Sequence, residues 1–174
     1  MAGSNTLARD YTPPADIEPL VAGLLTTLHE RHVDMADLVG GLPAGALDWR
    51  PGPEMNSLAG LALHILEDEE FVARVAAGES LSWHGENGSS LELTADEARV
   101  VAAIEAVDAL LKQVLPGLQA ARYGDTQPGE HRTIGSALIE EFDHSAMHYG
   151  QMQLTRHLFE LAHPRASTTY KHWR

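Results

Sequence analysis

The sequence predicts an all-α protein, a four-helix bundle, and three observations lead there. Apolar residues recur every three to four positions in four long stretches, which is the helical period. Gly and Pro clusters separate those stretches. No segment alternates with period two long enough for a strand; Leu91 to Leu93 comes nearest and reads as loop. Helices of about 20 to 30 residues at ~1.5 Å each would be ~30–45 Å long, the proportion of a four-helix bundle.

The first helix follows Pro13 and Pro14, with Asp16 as the expected N-cap and Pro19 in the tolerant first turn. Its stripe is Leu20, Leu24, Leu28, Met35 and Leu38, and Gly40-Gly41 ends it. The second starts near Asn56-Ser57, carries Leu58, Leu61, Ala62, Ile65, Phe71, Val72 and Val75, and stops at Gly78. The connection from Gly40 to Asn56, extended, could cross the length of a bundle, so simple up-down-up-down order is not forced. The third opens with Thr94 and Glu97 spaced as a capping box and runs through Val101, Ile104, Leu111 and Leu115 to Pro116-Gly117. The fourth begins near Thr133 and carries Ile134, Leu138, Phe142, Met152, Leu154, Leu158 and Leu161 until Pro164. One domain over 1–174 is expected, with a core from about 16 to 163 and short polar tails, the second anchored by Tyr170 and Trp173.

Composition removes several function classes. The 174 residues hold 12 basic and 25 acidic side chains, a net charge of −13. Such a chain has no basic surplus to displace counterions from nucleic acid or to dock on an anionic membrane, so neither partner is expected. No stretch approaches the ~20 apolar residues of a spanning helix, and Met1 to Pro14 has no signal-like apolar run. A cytoplasmic location is the expectation. With no Cys, disulfides, thiolate zinc sites and thiol nucleophiles are excluded. A transition metal would have to be held by imidazole and carboxylate, and the chain has 10 His.

Three of those histidines stand together. His144 and His148 are one helical turn apart on the fourth helix, so both rings leave the same face at the spacing of paired His in helical zinc sites. That face also carries Ala137, Glu141, Gln151 and Thr155, and it borders the apolar stripe. His64 stands alone in the most apolar helix, and with the pair it completes three imidazoles from two helices, leaving a coordination position open. Asp68, four residues after His64, and Glu141, three before His144, are candidates to accept from the rings and fix their tautomers. A di-metal carboxylate bundle needs Glu-x-x-His on two helices. Here Glu141-x-x-His144 and Glu160-x-x-His163 share one helix, so a mononuclear site is favoured. His32 skirts the first stripe and could approach the site, with packing at the rim expected. His29, His84, His131, His157, His163 and His172 carry no such pattern. Phosphate-cradling loops and a Gly-x-Ser-x-Gly elbow are absent.

The stretch from Leu47 through Trp49, Pro51, Asn56 and Ser57 to His64, followed by the acidic turn Glu67 to Glu70, resembles the DinB/YfiT-like family of metalloenzymes. His144-x-x-x-His148-Tyr149-Gly150-Gln151 is similar to that family's closing motif. The resemblance spans about Asp16 to His163 and implies an up-down-down-up bundle, often a homodimer. It further implies a divalent metal, zinc or nickel, on three His that match His64, His144 and His148. Related branches include mycothiol-dependent maleylpyruvate isomerase and bacillithiol transferases, so a low-molecular-weight thiol cofactor is implied as well.

Two functions follow as expectations. One is a metal-dependent enzyme acting on a small molecule, either a thiol-dependent S-transferase or a hydrolase, since both would use the same ligands. The other is a non-catalytic helical dimer that binds a small ligand or protein, with a structural or vestigial His set.

Overall fold

The computed structural model describes residues 7–81, 90–126 and 132–164. Four α-helices carry it: α1 (Pro19–Val39), α2 (Leu58–Ala76), α3 (Glu97–Val114) and α4 (Ile134–Ala162). Among the described residues there is no strand, and only one isolated bridge, Thr126 to Thr133, precedes α4. His84, His131, His172, Tyr170 and Trp173 lie outside the described residues.

Cross-helix bonds set the directions. Arg31 on α1 donates to the carbonyl of Phe142, and Arg156 donates to that of Leu38, so α1 and α4 run parallel. Gly41, just past α1, donates to Glu97 at the start of α3, whereas His29 meets Asp108 further along α3. That pair is antiparallel. Arg122, just before α4, donates to Ala76 at the end of α2, which makes α2 antiparallel to α4. The order is therefore up-down-down-up, and α2 packs between α3 and α4.

The loop 40–56 does not cross the bundle as its length would allow. It stays at one end, where Ala59 donates to Leu47 and the Leu47 side chain is buried. The α2–α3 connection is the one that joins opposite ends, since those two helices run parallel; of it the structure describes 77–81 and 90–96. Its 3₁₀ turn Ser90–Glu92 packs on α2. A Cβ on Gly60 would lie 2.3 Å from the Leu91 carbonyl, so only glycine lets this turn sit so close.

The helix ends differ in detail from the expected caps. Glu18, not Asp16, caps α1, its carboxylate accepting from Val21 N–H at 3.0 Å. Pro19 holds the preceding residue in extended backbone, and that places the cap there. Asp96 caps α3 and accepts from Arg99 N–H, while Glu97 turns to Gly41, so Thr94 and Glu97 form no capping box. Ser57 and Thr133 cap α2 and α4.

The core is one cluster built from all four helices, including Leu25, Met35, Leu38, Leu61, Ile65, Ile104 and Met152. Leu20, Leu154 and Leu161, expected in the stripes, are exposed instead. On α4 the apolar positions occupy two faces: Ile134, Leu138, Met152 and Phe159 point inward, whereas Ile139, Met147, Leu154 and Leu161 point outward. Arg156, 1% exposed, takes an inward position and satisfies the orphan Leu38 carbonyl in the last turn of α1. No helix among the described residues is long and apolar enough to cross a membrane.

Candidate metal centre

Antiparallel packing of α2 on α4 sets His64 between His144 and His148. Ring centroids are 5.0 Å apart for His64 and His144, 4.9 Å for His64 and His148, and 4.4 Å for His144 and His148, all edge to face. One nitrogen from each ring lies within 4.8 Å of the others.

Each ring commits Nδ1 to an oxygen of the protein. His64 Nδ1 pairs with Ser90 Oγ at 3.2 Å and His148 Nδ1 with Gln151 Oε1 at 2.8 Å. His144 Nδ1 lies 3.3 Å from Asp68 Oδ2 and 3.7 Å from Glu141 Oε1. Where Nδ1–H donates to these oxygens, Nε2 is left with the lone pair that a metal-binding imidazole uses.

The electrostatics favour the neutral ring at two of the three histidines and the protonated ring at His144. Burial, then the neighbouring His148 and His144, push His64 down to about 4, so its ring is neutral near pH 7. Burial also lowers His148. His144 is raised, chiefly by the neighbouring Glu141 carboxylate, with Asp68 and Glu69 adding to it. Burial pushes Asp68 up to about 6 and Glu141 up to about 7. Three imidazoles with one nitrogen each within 4.8 Å of the others, beside an acidic flank, are a donor set that fits a divalent transition metal. Asp68, Glu141 and His144 form a second group with ligand atoms within 4.8 Å of one another.

The structure thus brings together all five residues singled out in the sequence. Two others that the structure adds to the site, Gln151 and Ser90, were not singled out. Gln151 shares the face of the His pair, and its place at i+3 from His148 is the signal that finds it. Ser90 belongs to the crossing segment, whose register no periodicity fixes.

His32 is not at the rim. It is fully buried, with Nε2 donating to Glu69 Oε2 at 2.6 Å and Nδ1 3.2 Å from Asp108 Oδ1. Burial alone would lower its pKa, but Glu69 and Asp108 outweigh that and raise it to about 9. Burial would raise Asp108, yet hydrogen bonds from His32, Lys112 and His29 hold it well below the usual carboxylate range. Glu69 also accepts from Ser145 Oγ at 2.7 Å. This buried network links all four helices, and its Glu69 and Ser145 directly follow Asp68 and His144 in the chain. The remaining described histidines stay apart from the site; His163 stacks on Phe159 at 4.4 Å.

The DinB superfamily sequence profile matches residues 27–152. A solved structure described as the conserved protein of locus from Enterococcus faecalis superposes with a TM-score of 0.61 at 18% identity. The match covers 80% of this chain and 95% of that one, and at such identity it speaks for the fold alone. No curated protein matches.

Proposed function

The chain belongs to the DinB superfamily, and from that premise we propose that it is a metal-dependent enzyme with a mononuclear site on His64, His144 and His148. The observation that carries this reading is the convergence of three rings whose Nδ1 atoms are all engaged elsewhere. A bound divalent ion, zinc or nickel as the family resemblance implies, would supply Lewis acidity toward water or a low-molecular-weight thiol.

The chain's own residues do the rest. Ser90, Asp68 and Gln151 orient the three rings. Glu141, pushed to about 7, can hold or release a proton at Oε1 near neutral pH. With no Cys in the chain, a thiol nucleophile would have to be a diffusible one. Thiol-dependent S-transfer and hydrolysis are the two reactions this arrangement serves. Turnover of thiol plus epoxide or halogenated substrates, against ester and amide substrates, separates them.

The metal is tested by elemental analysis of protein purified without chelator. About one equivalent is expected for a mononuclear site. Less than about a tenth of an equivalent, with no uptake on titration, overturns the reading and favours the non-catalytic dimer.

We further propose a homodimer packed through the outer face of α4. Met147, Leu154 and Leu161 recur every seven residues, each more than half exposed, and Ile139 extends their side. Such a stripe is self-complementary about a two-fold axis.

A further inference from the structure

Beside the three imidazoles lies a cavity of about 170 Å³ between α2 and α4. One side is polar: Asp68 and Glu141, 8% and 9% exposed, face it together with His144. The other side is apolar and formed by Phe71, Val72 and Ala137. The exposed Arg132–Glu140 ion pair, at 2.9 Å, stands on its rim.

The polar side is short of donors. Asp68 Oδ1 and Glu141 Oε1 are buried and accept no hydrogen bond among the described residues. His144 Nδ1–H is the donor between them, and one N–H satisfies one of the two carboxylates at most. Buried acceptors of this kind are ordinarily paired. What is missing is a group with several N–H donors and a positive charge.

We propose that this cavity docks the protonated amine of the substrate, with the ammonium between Asp68 and Glu141 and the adjoining carbon chain against Phe71, Val72 and Ala137. An ammonium offers three N–H donors, enough for both free oxygens. A bare divalent ion would use the carboxylates and leave the apolar half of the cavity without a role. The amine would be held one imidazole away from the proposed metal, because His144 belongs to both groups. The inference rests on the metal reading above for its place in a reaction, though not for the binding itself.

The test uses the full chain, with n-butylamine, 1-butanol and butyrate as probes at pH 7. Amide shifts of Phe71, Val72 and Ala137 are followed by NMR, and metal content is measured on the same samples. Butylammonium should give saturable shifts, with the alcohol at least tenfold weaker and butyrate silent, as expected for a charge-assisted site. Asp68→Asn and Glu141→Gln should each weaken the amine at least tenfold. Because those changes also touch His144, Ala137→Leu serves as a second kind of variant; it fills the cavity without altering charge and should block the amine with helicity unchanged. Equal binding of amine and alcohol, or a preference for butyrate, overturns the proposal. So does a second equivalent of zinc that is lost in Glu141→Gln. A protein with its metal but no amine response overturns this inference and leaves the metal reading standing. An amine response in protein that takes up no metal does the reverse.

Discussion

His32 on α1 donates to Glu69 on α2 at 2.6 Å, and both side chains are wholly shielded from solvent. A buried pair of this kind is costly to break, because removing one partner strands the other's charge without water. Glu69→Leu should destabilise the fold by about 3–5 kcal/mol, read by urea unfolding. A loss below about 1 kcal/mol, the scale of a solvated pair, would contradict the pairing.

The same pair sets an alkaline limit. His32 is raised from an ordinary 6.5 to about 9, so its contribution is fully present below pH 6.5 and is lost as pH rises through 9. About 3 kcal/mol should disappear across that window. Asp68 and Glu141, also raised, add slope of the same sign at lower pH. The interval from pH 7 to 9 is therefore the one to read. Urea midpoints there should fall in the wild type and fall less steeply in His32→Asn, where the raised His144 is left to contribute. Asp108 acts in the opposite sense: its contribution is present above the ordinary carboxylate value and fades as pH falls through its depressed one.

Gln151→Ala should weaken metal binding about 10- to 100-fold, the effect of removing a partner that orients a ligand. Removing a ring itself, as in His148→Ala, should cost more while the helical content persists. Competition with a chromophoric chelator measures both. Equal affinity in wild type and Gln151→Ala would mean that the hydrogen bond at 2.8 Å does not hold the ring in place.

Gly60→Ala places a methyl group where the Leu91 carbonyl now lies. The turn must move away, and Ser90 moves with it from His64. Overpacking of this type costs roughly 1–3 kcal/mol. Thermal unfolding should show that loss together with weaker metal uptake, whereas an unchanged melting temperature would refute the close contact.

Leu154→Glu puts a charge in the exposed stripe of α4. Light scattering should report a dimer for the wild type and a monomer for the variant, with unfolding of the monomer unit little changed.

Much of this was legible in the chain because helical register converts spacing into direction. His144 and His148 had to share a face, and Ser57, Thr133 and Gly78 marked boundaries that the structure keeps. Register could not say which apolar face of α4 turns inward, because Leu154 and Met152 lie only two positions apart yet one is exposed and the other buried. Nor could it foresee Asp108 and Glu69 around His32, since a buried charge is decided by partners on other helices. Ser90 stayed hidden for the same reason. Its place depends on the close packing of the 3₁₀ turn Ser90–Glu92 on α2, which local pattern does not encode.

Two of the proposed ligands lie one turn apart on α4, while His64 comes from α2, about 80 residues earlier in the chain. A metal held by all three would therefore tie α2 to α4 in the folded chain and stabilise it by mass action, by about 2.7 kcal/mol at a hundredfold excess over Kd. Loss of the ion would then loosen the α2–α4 seam, so that resistance to unfolding would track metal supply before catalysis is considered.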